Sequence, residues 1–194
     1  LLNTEQLLAV VRDCDEKTSL EFPIGNVIFE TVGWISYPRF SSDGKKIAFI
    51  EHPLPYDDNG HVVLFDFEAG EKRILTEIAT SIQGLAWSKD EIWFTAGYQD
   101  SARMLYAVNL RGEERAVYRG TGRLILQDIS ARGEVLLTDD KTRVQTAVRR
   151  ANDDIERDLS WHDWTMPRDL TDDGETLLFE EAGLSGGNRQ AAYI

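Results

Sequence analysis

The chain has 194 residues, 42% hydrophobic and 28% charged, the balance of an ordinary globular protein. Asp and Glu number 34 against 21 Lys and Arg, a formal charge of −13 that repels phosphate backbones and anionic lipid, so neither nucleic acid nor a membrane surface is expected as a partner. No apolar run approaches the length of a spanning helix, and the single cysteine, Cys14, leaves no intrachain disulfide.

In chain order, Gln6 to Arg12 reads as a strand, followed by strands in "TSLEFP" (18–23) and "NVIFET" (26–31). The stretch "PRFSSDGKKIAFIEH" (38–52) carries Asp43-Gly44 between two strand-like runs. Gly reaches positive φ without a Cβ clash and Asp bonds its own backbone, so the pair predicts a tight hairpin turn. Lys45 to Glu51 is almost filled with apolar residues, as a strand covered on both faces would be. A polar stretch runs from His52 to His61. Val62 to Phe67 is a further strand, Glu68 to Glu71 a turn, and Lys72 to Thr76 a short outer strand. The same order returns in "GLAWSKDEIWFTA" (84–96), "RMLYAVNL" (103–110) and "EERAVYR" (113–119), with Trp87 and Trp93 read as core strand residues. It returns again in "LQDISARGEVLLTDD" (126–140), "RVQTAVRR" (143–150) and "RDLTDDGETLLFEE" (168–181).

The first turn of each copy falls near 44, 90, 133 and 174, separated by roughly 46, 43 and 41 residues. That is the period of a four-stranded propeller blade. The predicted fold is therefore all-β, a partial β-propeller forming one domain over 1–194. Its repeats are placed at about 1–36 (partial), 37–83, 84–126, 127–167 and 168–194 (partial), which makes three full blades and two partial ones. The chain begins inside one blade and ends inside another, so it reads as a piece of a longer protein. Open blade faces would then invite self-association.

The run "YPRFSSDGKKIAFIEH" resembles the repeat of TolB-like (WD-repeat-like) propellers, in which Pro, an aromatic, Ser-Pro-Asp-Gly and an "IAF" strand recur. It departs from that repeat at Ser42, where the family carries Pro. More fully, "LEFPIGNVIFETVGWISYPRFSSDGKKIAFIEHP", "LYAVNLRGEERAVYR" and "DLSWHDW" with "DLTDDGETLLFEE" resemble the C-terminal propeller of bacterial serine/threonine protein kinases. The resemblance covers nearly the whole chain. It implies a sensing or docking region of a bacterial signalling protein whose kinase would lie elsewhere, on either side of a membrane. The Gly-rich phosphate loop, His-Arg-Asp and Asp-Phe-Gly of a kinase are not in this chain.

Chemistry-bearing groups are sparse. His52 and His61 bracket "HPLPYDDNGH" with Asp57 and Asp58, a metal-capable set whose spacing matches no compact zinc motif and reads first as a connecting loop. His162-Asp163 lies between Trp161 and Trp164, with no Gly-x-Ser-x-Gly elbow to supply a nucleophile; one Trp is expected to pack between blades and the other to stack at the rim. Paired acids flank turns. The Gly-rich "GLSGGNR" (183–189) joins two strands, not a strand and a helix, so it is no phosphate cradle. No cofactor and no metal is expected.

In a blade the first and third turns share one rim, and the longer loops and blade links share the other. The long segments here gather aromatic, His and acidic residues: Trp34, Tyr37, His52, Tyr56, Asp57, Tyr98, Gln99, Trp161, His162 and Asp163. Loops on a rigid scaffold carry function, so these ten are the candidate contact surface for a protein or peptide, or a small ligand. The resulting reading is a non-catalytic binding or sensing propeller. The alternatives are the propeller of a prolyl-oligopeptidase-type serine peptidase, which would need an α/β-hydrolase segment, and a TolB-type periplasmic scaffold.

Overall fold

The smallest units of the fold are its turns, and their hydrogen bonds repeat from copy to copy. In the turn after Phe40, the Ser41 hydroxyl donates to Asp43 Oδ1 at 2.6 Å and accepts from the Lys46 amide at 3.0 Å, while Asp43 Oδ1 also accepts from the Lys45 amide. Gly44, at φ +70, donates its N–H to the Ser41 carbonyl. Thr171, Asp173, Glu175 and Thr176 reproduce this set, at 2.6 Å for the hydroxyl–carboxylate bond. Ser130 and Glu134 reproduce its backbone part. These bonds favour the charged carboxylate and hold Asp43 and Asp173 below the usual carboxylate range.

The computed structural model describes residues 8–14, 16–99, 102–150, 152–182 and 191–193, and every regular element among them is a strand. Gln6 and Leu7, and the Gly-rich 183–189, lie outside the described residues. A first sheet pairs β1 (Val10–Cys14), β2 (Lys17–Glu21) and β3 (Val27–Thr31) in that order. The second holds β4 (Trp34–Phe40), β5 (Lys46–His52), β6 (His61–Asp66) and β7 (Glu71–Ile74). The third holds β8 (Ser81–Ser88), β9 (Glu91–Gly97), β10 (Met104–Asn109) and β11 (Glu114–Tyr118). Neighbours in all three are antiparallel. Then come a two-stranded sheet of β12 (Arg123–Ile129) and β13 (Val135–Asp140), and another of β14 (Ala147–Val148) and β15 (Arg157–Asp158). The antiparallel sheet of β16 (Trp164–Leu170), β17 (Leu177–Ala182) and β18 (Ala191–Tyr193) follows. The chain is all-β, with successive sheets in a propeller-like order.

It divides into two compact units, residues 1–139 and 140–194. In the first unit, apolar layers separate successive sheets. Leu20 and Phe29 meet Ile35, Ile47, Phe49 and Val63 in one layer. Ala48, Ile50, Val62 and Leu64 meet Ile82, Leu85, Ile92 and Phe94 in the next. Ala86, Leu105 and Leu126 form the third. β5 is thus covered on both faces, Ile47 and Phe49 on one and Ala48 and Ile50 on the other, which is why its sequence is nearly continuous in apolar residues. Trp87 and Trp93 lie on β8 and β9, half-buried against these layers.

β4 and β8 each carry a bulge at the same place in the repeat, between Ser36 and Arg39 and between Gln83 and Leu85. Tyr37 (φ +52) and Gly84 (φ +71) occupy the extra position. At Gly84 a Cβ would stand 2.1 Å from the Leu126 carbonyl oxygen, so β8 and β12 approach backbone to backbone there.

The segment expected to form the third full blade differs. Instead of one four-stranded sheet it gives the separate pairs β12–β13 and β14–β15. Between Lys141 and Arg157 lie four arginines, a lysine, two aspartates and a glutamate, with only scattered apolar residues, so no strand there can bury a face. β13 is accordingly exposed along most of its length.

Candidate functional site

The site is built from the start of β4, the end of β5 and the loop that follows. Alternation along β5 puts His52 on the face of Ala48 and Ile50, and its side chain is wholly buried. Trp34, paired with His52 across β4–β5, stacks on the imidazole with ring centroids 3.6 Å apart and planes 4° from parallel. Both ring nitrogens are engaged. Nε2 lies 2.8 Å from Ser36 Oγ and Nδ1 lies 3.0 Å from the Asn59 carbonyl. The carbonyl accepts only, so Nδ1 carries the proton and Nε2 accepts from the Ser36 hydroxyl. Burial pushes the His52 pKa down and keeps the ring neutral, against the Asn59 carbonyl and the charges of Asp58 and Asp57, which act upward.

The loop itself is pinned at three further points. Trp34 Nε1 donates to the Asp57 carbonyl at 2.9 Å. Asp57 Oδ1 accepts from the Asn59 amide at 2.8 Å. Asp58 accepts from Ser81 Oγ at 2.5 Å and Gln83 Nε2 at 2.9 Å, and stands 3.4 Å from the buried Arg103. Arg103 also donates to Ser81 Oγ and to the Leu124 carbonyl. The β5–β6 loop is therefore fastened to β8 of the third sheet and, through Arg103, to β12. What it holds out is Tyr56, fully exposed at φ +61. A bulky residue at positive φ costs of order 1 kcal/mol and persists only where its surroundings impose it.

Tyr56, Pro55, Asp57 and Asp58 face Trp34 and Val32 across an open groove of about 730 Å³. The β1–β2 turn closes it with Asp13, Glu16, Lys17 and Thr18. Of the ten residues the sequence singled out, this groove brings together Trp34, Tyr56 and Asp57, with His52 directly beneath. The expected surface role of His52 is corrected by its burial: it supports the Trp34 ring and the loop from below.

The others sit elsewhere. Tyr37 packs against the layer between the second and third sheets. Tyr98 borders a separate groove of about 530 Å³ with Glu77 and Glu114, and its hydroxyl donates to Glu114 at 2.9 Å. Burial raises the pKa of both Tyr98 and Glu114. Gln99 is exposed at φ +52. Trp161, His162 and Asp163 belong to the second unit. There Trp161 is 60% exposed and packs its ring on Phe179 and Tyr193, at centroid distances of 5.0 and 5.3 Å. Trp164 opens β16 at the repeat position of Trp34, and its amide donates to the buried Glu181.

Sequence reading missed the Asp58–Ser81–Gln83–Arg103 network, because its bonded pairs lie 22 to 45 residues apart and carry no local pattern. It also weighed a metal set that the geometry disperses. His61 turns its Nε2 to Glu51 at 3.1 Å, and His52 is enclosed by Ser36 and Asn59. Among the described residues no group of three or more His, Cys, Asp or Glu converges. The Ser36–His52 bond has the form of a nucleophile–base pair. General-base catalysis must form an imidazolium, however, and here burial opposes that charge beneath the Trp34 ring. In this structure the pair packs beneath the Trp34 ring and ties β4 to β5.

No protein-family description matches the chain, and no curated protein matches it. Solved structures do. It is similar to TolB from Acinetobacter baumannii, with a TM-score of 0.51 at 14% identity, over 91% of this chain and 45% of that one. A prolyl endopeptidase aligns at 0.45 and 18% identity, over 85% of this chain and 29% of that one. The β-propeller domain of the trilobed protease from Pyrococcus furiosus aligns at 0.43 and 18% identity, over 86% and 54%. The chain spans about half or less of the length of these structures. At such identities the likeness to TolB is one of fold alone, that of a propeller.

Proposed function

We propose that the chain is a non-catalytic protein- or peptide-binding part of a propeller-like domain, closer to a TolB-type scaffold than to an enzyme. The observation that carries this reading is the groove at Tyr56. A fully exposed aromatic is held at positive φ by a loop fastened at several points, beside Trp34 and a row of carboxylates. A rigid, open, partly apolar groove suits an extended segment, and prior fastening of the loop lowers the ordering cost of binding. The TolB-type reading is supported by the similarity of fold. The finer reading, a sensing end of a bacterial serine/threonine kinase, is supported by the sequence resemblance alone. Self-association through apolar sheet faces belongs to the same proposal, and Leu136 on β13, 62% exposed, is a place for it.

Panning a random displayed-peptide library against the immobilised chain tests the reading. Enriched sequences are expected, with binding that falls when Tyr56 is changed to Ala while thermal unfolding is unchanged. Failure to enrich any sequence would overturn it, and so would turnover of peptide or ester substrates by the purified chain.

A further inference from the structure

We propose that the groove at Tyr56 takes an arginine or lysine side chain presented by an extended segment of a partner protein. The inference rests on the peptide-binding reading and names the partner's chemistry.

Charge argues first. Four carboxylates line the groove, from Asp13, Glu16, Asp57 and Asp58, against one ammonium, Lys17. Lys17 lies 3.5 Å from Glu30, which itself stands outside the lining. Asp13 accepts from Thr18 Oγ1 at 2.8 Å and Asp57 from the Asn59 amide. Asp58 is held by Ser81 and Gln83 and stands 3.4 Å from the buried Arg103, which offsets part of its charge, so Asp13, Glu16 and Asp57 supply most of the negative field. Glu16, on the β1–β2 turn, is exposed. The acids therefore form a fixed negative wall with an exposed member, Glu16, at its edge. An anionic segment is repelled, and a neutral one desolvates carboxylates without return.

The second wall is apolar. Val32 (64% exposed), Trp34 and Pro55 offer surface to an aliphatic stem, and the Tyr56 ring stands open to a cation. Long cationic side chains use both: the stem lies on apolar surface while the head keeps polar company, and an aromatic face attracts the charge. A volume of about 730 Å³ falls within the range of small-ligand sites and admits one such side chain with its flanking backbone. The net charge of −13 adds long-range attraction for a basic partner.

The test is fluorescence anisotropy of labelled peptides with the full chain, using one peptide of alternating Arg and Gly and one of alternating Glu and Gly. The variant is E16Q with Y56A, two exposed side chains whose loss should leave thermal unfolding unchanged. The control, D172N, removes one exposed charge far along the sequence from the groove residues. Saturable binding of the Arg peptide is expected, weakening as salt rises from about 50 to about 300 mM. The double variant should bind at least tenfold more weakly, and D172N within twofold of the parent. Equal weakening in variant and control would mean adhesion to overall charge and would overturn the proposal. So would free arginine amide competing as tightly as the peptide, which would make the occupant a small cation. Binding of neutral or acidic peptides that is lost in the double variant would overturn the cation and leave the peptide-binding reading standing. Absence of binding for every peptide composition would remove both.

Discussion

Replacing Gly84 by alanine separates two costs that the fold places on one residue. At φ +71 an L side chain carries a penalty of about 1–2 kcal/mol. The new Cβ would also lie 2.1 Å from the Leu126 carbonyl oxygen and 2.7 Å from its nitrogen, backbone atoms that no rotamer change can move. β12 would have to withdraw from β8, loosening the thin layer of Ala86, Leu105 and Leu126 and stretching the bond from the Leu126 amide to Thr95 Oγ1. Overpacking of this kind costs about 1–3 kcal/mol. Together the costs reach about 2–5 kcal/mol, a large share of the stability of a domain. Gly70→Ala is the internal reference: its φ is +66 and nothing lies within 4 Å of its Cβ position, so it carries the backbone penalty alone. In urea the two variants should differ in midpoint by roughly 0.5–1.5 M, with Gly84→Ala the weaker. Coincident midpoints would refute the close approach of β8 and β12.

Other outcomes follow from the site. Burial lowers the His52 pKa from its ordinary 6.5, so the unfolded chain takes up a proton that the native state refuses. Stability should therefore fall as pH drops below about 6.5, and urea midpoints at pH 7 and about 5.5 should show a shallower fall in His52→Gln. Glu114 has the opposite sign: burial raises its pKa above 4.5, so its contribution is lost as pH climbs from that value toward neutrality. Glu114→Gln should lose less stability over that interval than the parent, and an equal loss would assign the effect to another group. Trp34→Phe keeps a ring over His52 and removes the donor to the Asp57 carbonyl. Hydrogen exchange at amides 54–60 should accelerate severalfold, and unchanged rates would mean that His52 and Asp58 hold the loop without it.

Much of the fold was legible because its signals are local. "SSDGKK" names its own turn, and the double-faced apolar run of 45–51 names a strand covered on both sides. Equally spaced turns then led to successive sheets. The same cue misled at 141–158, because a repeated first hairpin does not guarantee that apolar residues follow to extend its sheet. At the candidate site, Trp34, Tyr56 and Asp57 were singled out through loop length and residue type, and the groove brings them together. The burial of His52 was readable as well: it continues the alternate row of Ala48 and Ile50, and that row faces the core. The fastening of Asp58 was not readable, since Ser81, Gln83 and Arg103 reach it only after two sheets have stacked.

The repeated turns bear on how the molecule assembles in time. Every donor and acceptor that closes the Asp43 turn, or its counterpart at Asp173, lies within a span of six residues. Such a hairpin closes in about 1–10 μs and needs no help from another sheet. Stacking of sheets requires far longer loops to close and comes later. Asp43→Ala should then slow folding with little effect on unfolding, while Gly84→Ala, whose contact unites two sheets, should chiefly speed unfolding. The chain carries its own order of assembly, hairpins first and layers afterwards, written in the turns that recur along it.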